Sequence, residues 1–133
     1  MKSRPTAWVA EYSTALRPLG RAQAAFRSAC LAGDTTGMAA ADQLLAAATD
    51  ARRWLARNPC PVPAGHRHVE AGVRCLQLTA RLATALTSTS DDQDAAVAAI
   101  ADAWGDAERH FRAFAAVLRK AKLAGPNFAV TGA

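Results

Sequence analysis

Aromatic residues are scarce in this chain: three tryptophans, one tyrosine and four phenylalanines among 133 residues, or 6%. That scarcity argues against a thick aromatic core. The apolar share is nevertheless 51%, and alanine dominates it. Alanine is the best helix former and buries little area, so the composition points to an all-α protein whose helices approach one another closely. One domain is expected at this length.

A long hydrophobic run is also missing. The alanine-rich stretch at 38–48 is interrupted by Asp42 and Gln43 and falls short of the ~20 apolar residues a membrane span needs. The start Met1-Lys2-Ser3-Arg4-Pro5 is basic like the head of an export signal, but residues 6–19 carry Glu11, Arg17 and Pro18 instead of a continuous apolar segment. A cytoplasmic location without membrane contact is the expectation. Cysteine is limited to Cys30, Cys60 and Cys75, an odd count that predicts reduced thiols rather than a disulfide framework.

Motifs that carry chemistry are equally absent. No G-x-S-x-G, G-x-x-x-x-G-K-[ST] or G-x-G-x-x-G occurs, and no serine or cysteine stands beside a base oriented by a third group in any recognisable pattern, so nucleophilic catalysis and phosphate-loop chemistry have no support. Cys60, His66, His68 and Cys75 have donor atoms suited to zinc, but C-x5-H-x-H with a cysteine seven residues on is no zinc-finger spacing. A ferritin-like di-iron bundle requires E-x-x-H, which is missing; Asp106 and His110, flanked by Asp102 and Glu108, read as a solvated charged face. The expectation is a non-enzyme with no cofactor and no metal.

What is present is helical periodicity. Trp8, Tyr12, Ala15, Leu19, Ala22, Phe26 and Ala29 alternate spacings of four and three, which places them on one face of a helix over 6–31. Pro18 interrupts that helix, and because the seam keeps its phase across it, a kink is expected. Met38, Ala41, Leu45, Ala48 and Leu55, with Leu44, Ala47, Ala51 and Trp54 beside them, predict a second helix over 36–57 after a glycine stop and threonine caps at 33–36. Asn58-Pro59-Cys60-Pro61-Val62-Pro63, three prolines in five residues, ends it and forms a rigid connector.

Val69, Val73, Leu76, Ala80 and Ala83, with a second stripe of Cys75, Leu78, Leu82 and Leu86, predict a third helix over 64–86. Val97, Ile100, Trp104, Ala107, Phe111, Phe114, Leu118 and Ala121 predict a fourth over 91–122. It opens on a capping box, Ser90-Asp91-Asp92-Gln93, and Gly125-Pro126 is the expected stop. The tail 126–133 should fray unless Phe128 and Val130 tuck in. Short connectors then favour an antiparallel up-down-up-down four-helix bundle.

Charge placed on that bundle is polarised. Lys2, Arg4, Arg52, Arg53, Arg57, Arg67, Arg119, Lys120 and Lys122 gather at one end with His66 and His68, against Glu11, Asp50 and Glu70. The other end holds Asp34, Asp42, Asp91, Asp92 and Asp94, with Arg27 and Arg81. Dipole complementation explains cations at helix C-termini, at about 0.3–1 kcal/mol each. It does not explain Lys2, Arg4 and Arg67, which lie at helix starts. With a net charge of +5, the basic end predicts an anionic partner: nucleic-acid phosphate, an acidic protein or a phosphorylated ligand. Trp8 and Tyr12 belong to the seam and should be core; Trp54 should be partly exposed.

The segment Arg53-Trp54-Leu55-Ala56-Arg57-Asn58-Pro59-Cys60-Pro61, between alanine-rich helices, resembles a pattern in small helical proteins of high-GC actinobacteria that carry no assigned function. The resemblance covers about a third of the chain. It implies a cytoplasmic helical bundle with a structural turn at 58–63 and contributes no catalytic residue. Taken together, the sequence predicts a non-catalytic binding or regulatory module working through its basic end. The alternatives are a small-molecule or metal-binding bundle, or a structural homo-oligomer using the spare apolar arcs of the second and third helices.

Overall fold

The computed structural model describes residues 5–32, 37–86, 93–125 and 128. Within them the chain forms five α-helices and no strand: α1 (Pro5–Ala15), α2 (Arg17–Ala32), α3 (Gly37–Arg57), α4 (Pro63–Ala85) and α5 (Gln93–Lys120). The 33–36 turn, the Ser90 capping box, Lys2, Arg4 and Val130 lie outside the described residues.

The all-α class follows from the composition, but four helices become five. Pro18 has no N–H to give the Thr14 carbonyl, and the helix breaks at Leu16, so the expected kinked rod is two helices. Hydrogen bonds from the Leu16 N–H to the Tyr12 carbonyl (2.9 Å) and from the Gly20 N–H to the Leu16 carbonyl (3.1 Å) bracket the proline. The apolar phase survives the break: Trp8, Tyr12, Leu19, Ala22 and Phe26 are all buried, and Leu16 joins them.

Consecutive helices are neighbours, with α2 on α3, α3 on α4 and α4 on α5. Against α1 and α2, helix α5 packs through rings: Tyr12 lies 5.2 Å from Phe114 and Phe26 5.7 Å from Trp104, centroid to centroid. Small residues let α4 and α5 come close. A Cβ on Gly72 would stand 3.1 Å from the Phe111 ring, and one on Gly65 3.2 Å from the Cys60 sulfur. The core thus combines an alanine-lined interior (Ala41, Ala48, Ala80 and Ala107 are fully buried) with a few large groups, Tyr12, Phe114, Leu44, Leu76 and Leu118.

The predicted seam of α5 is buried only in part. Ala107, Phe111, Phe114 and Leu118 are inside, whereas Trp104 and Ile100 are half-buried and Val97 and Ala121 are exposed. On α4 the first stripe, Val69 to Ala80, is core, while Leu78 of the second stripe faces solvent. Trp54 is half-buried, as expected.

Both ends of the long connector are tied down. Val62 precedes α4 in an extended conformation with no side-chain cap, and Pro63 takes a first-turn position, where a missing N–H is harmless. The Trp8 indole N–H donates to the Asn58 carbonyl at 2.8 Å, and the Asn58 amide donates back to the Trp54 carbonyl at 3.0 Å. The Cys60 N–H donates to His66 Nδ1 at 3.2 Å. Helix α5 ends earlier than Gly125. The Leu123 N–H bonds to the Leu118 carbonyl (2.9 Å) and the Lys122 N–H to that of Arg119 (3.0 Å). That pair of bonds is a Schellman motif, with Lys122 at φ 62° in the left-handed position usually given to glycine. Phe128 tucks in against the core, 6.1 Å from Tyr12 and 6.2 Å from Phe114.

Candidate anionic-partner surface

The basic residues are positioned by contacts that gather four helix ends. Trp8 near the start of α1 bonds to Asn58 just past α3. Gly65 at the start of α4 lies against Cys60 and against Val117 and Phe114 late in α5. The last turn of α3, the first turns of α4 and the end of α5 therefore share one region, which brings Arg57, Arg67, Arg119, Lys120 and Lys122 to the same end. All five are exposed. None has a carboxylate partner within the described residues.

Arg53 stands one turn before Arg57 and is exposed, with Asp50 at 3.6 Å. Arg57 turns its Nε–H toward the Arg53 carbonyl at 3.5 Å. Arg52 departs from the expectation of a free surface cation: it is half-buried and points at α4, where Nη1 donates to Gln77 Oε1 at 2.9 Å. Glu70 is shared between His66 (3.3 Å) and Arg74 (3.3 Å), so the main local carboxylate is already engaged.

The zinc-type residues are dispersed. Cys60 is buried, and His66 is occupied by the Cys60 N–H on one nitrogen and Glu70 on the other. His68 meets His110 of α5, Nδ1 to Nδ1, at 3.4 Å, a pairing the sequence reading missed. Asp106 pairs with Arg109 rather than with His110. No group of three or more His, Cys, Asp or Glu residues that could hold a metal forms among the described residues. Burial pushes the Cys60 thiol up, partly offset by a hydrogen bond from the Val62 backbone. Desolvation also raises Cys30 and Cys75, Arg109 opposing it at the latter. A raised thiol is a poor nucleophile at neutral pH.

A second arrangement escaped the sequence reading. Gln77 is 5% exposed; its Oε1 accepts from Arg52 and its Nε2 donates to Thr49 Oγ1 at 3.2 Å, while the Thr49 hydroxyl donates to the Leu45 carbonyl at 2.8 Å. The available signal was a polar residue one turn from both Val73 and Ala80, on an otherwise apolar stripe. Two open clefts adjoin α3. One of about 510 Å³ is walled by Ala10, Glu11, Thr14, Ala15 and Trp54; the other, about 280 Å³, by Thr49, Arg52, Arg53, Ala56 and Gln77.

Compared with known protein families, with curated proteins and with solved structures, the chain matches none. Among the described residues no helix is long and apolar enough to cross a membrane.

Proposed function

We propose that this protein is a non-catalytic binding or regulatory module that engages an anionic macromolecule through its basic end, in the cytoplasm. In this reading α1 and α2 act as one bent rod, and the four rods alternate in direction as an antiparallel bundle. The observation that carries the reading is the cluster of exposed cations with no carboxylate partner among the described residues, Arg57, Arg67, Arg119, Lys120 and Lys122. Dipole chemistry accounts for the α3 and α5 C-termini. It leaves Arg67 near the start of α4 unexplained, because positive charge there is mildly unfavourable. Nucleic-acid phosphate is the simplest partner, an acidic protein surface the next.

The test compares two charge-matched triples. Arg53→Ala with Arg57→Ala and Lys120→Ala removes three charges at the basic end; Arg21→Ala with Arg27→Ala and Arg81→Ala removes three exposed charges elsewhere. If basic-end residues neutralise phosphates, the first triple should flatten the plot of log affinity for a short duplex against log salt by up to about 2.7, at about 0.9 counterion per phosphate, and the second should leave the slope in place. Equal losses in the two triples, or no salt-sensitive binding at about 0.15 M salt, would sink the proposal.

A further inference from the structure

Arg52 is an unusual cation. It is half-buried as a residue, and a guanidinium laid against a neighbouring helix gains most from a carboxylate partner. Arg52 has none among the described residues; its partner is the amide oxygen of a buried glutamine. Glutamate at 77 would reach the same place and cancel the charge. Glutamine instead holds the guanidinium in position and leaves its charge uncompensated. Gln77 is itself locked, since its Nε2 is committed to Thr49 Oγ1, whose hydroxyl is committed to the Leu45 carbonyl. The chain Leu45–Thr49–Gln77–Arg52 thus fixes which amide atom faces the arginine and where the remaining guanidinium N–H donors lie.

Those donors border the cleft of about 280 Å³ between α3 and α4, with Arg53 on its rim and Ala56 as an apolar wall. Among the described residues the Arg53 guanidinium is paired with Asp50 alone, at 3.6 Å with both side chains more than two-thirds exposed, a pairing worth little and easily exchanged. We propose that this cleft binds the phosphate group of a phosphorylated ligand, with Arg52 as the preset donor and Arg53 as the cation that swings in from the rim. Two guanidinium groups match a phosphate monoester, which carries about −1.5 to −2 at pH 7, whereas a carboxylate would match one. The proposal rests on the anionic-partner reading for the sign of the ligand and adds one chemical group at a second place, beside the exposed cluster.

The experiment titrates the ¹⁵N-labelled full chain with inorganic phosphate, then with acetate, at matched ionic strength in chloride, following the Arg52 side-chain Nε–H and the backbone amides of Thr49, Arg53, Ala56 and Gln77. A saturable phosphate response confined to these groups is expected. Gln77→Glu should abolish it by neutralising Arg52 in place, and Arg53→Gln, at an exposed position that folding does not depend on, should weaken it by about tenfold or more. A response no larger than that to chloride, acetate binding as tightly as phosphate, or wild-type phosphate affinity in Gln77→Glu would each overturn the assignment. Arg57→Ala with Lys120→Ala leaves the cleft intact: loss of duplex binding with phosphate binding retained would show the two sites to be separable, and loss of phosphate binding in that variant would count against the cleft.

Discussion

Lys122 holds a backbone conformation in which its own Cβ is a liability. At φ 62° a non-glycine residue gives up about 1 kcal/mol relative to glycine, yet the two Schellman bonds require that conformation. Lys122→Gly is therefore expected to raise stability by about 1 kcal/mol, read as a higher urea midpoint at unchanged slope, while Lys122→Ala gains nothing. An unchanged midpoint in the glycine variant would mean that the lysine conformation is unstrained. The sequence pointed to Gly125-Pro126 because those residues are the usual stop signals. The helix closes within two residues of the expected bound at 122, but on a lysine in the left-handed position rather than on a glycine. Arg52 was misjudged: its charge was visible, but its direction depends on Gln77, twenty-five residues away.

Among the described residues periodicity located the helical stretches but not the division of the first into α1 and α2, and it overstated burial where an apolar face outruns its neighbours. The three-four spacing of α5 continues through Val97, yet that residue is 53% exposed, because spacing shows which face is apolar and not how far a partner extends along it. Pro18 was legible as a disruption and misread as a kink; the phase of the seam is kept equally by a bent helix and by two helices joined at Leu16. Nothing in the apolar spacing singles out the glycines inside α4. Gly72 lies under the Phe111 ring, with three ring atoms 3.1–3.2 Å from where a Cβ would sit. Gly72→Ala should thus separate α4 from α5 slightly. The crowding costs about 1–3 kcal/mol against a helix-propensity gain of about 1, so a net loss of about 0.5–2 kcal/mol is expected in chemical denaturation. A more stable variant would show that the ring can slide aside freely. Gly105, where a Cβ would meet nothing within 4 Å, is the control in which the same substitution should stabilise.

Across the whole molecule, the contacts of Trp8 with Asn58 and of Gly65 with Cys60, Phe114 and Val117 bring the end of α3, the start of α4 and the end of α5 together, and with them five exposed cations. The interior was not readable from the sequence: nothing in the spacing places Cys60 close enough to Tyr12 for their ionisations to interact. Burial raises the Tyr12 phenol well above its ordinary value, the Cys60 charge adding to it, and burial likewise raises the Cys60 thiol. Both groups thus keep their protons in the folded state at pH values where the unfolded chain has begun to release them. The folded state binds more protons, so stability should fall as pH rises. The contribution is intact below the ordinary thiol value of 9.0 and lost progressively above it. Urea midpoints should be level from neutral pH to the ordinary thiol value and then decline, and Cys60→Ala should postpone the decline. A flat profile through the alkaline range would show that neither group is shielded from water.

The two ring clusters give the molecule a built-in pair of optical probes. Trp8 and Trp54 stand 5.8 Å apart beside Tyr12, whereas Trp104 lies on Phe26 at 5.7 Å. The two groups contact α5 at Phe114 and Trp104, ten positions or about 15 Å apart along the helix. Emission from a chain that retains only Trp104 would report one region, and emission from a chain lacking it the other. Ligand-induced quenching could then be assigned to an end without attaching any dye.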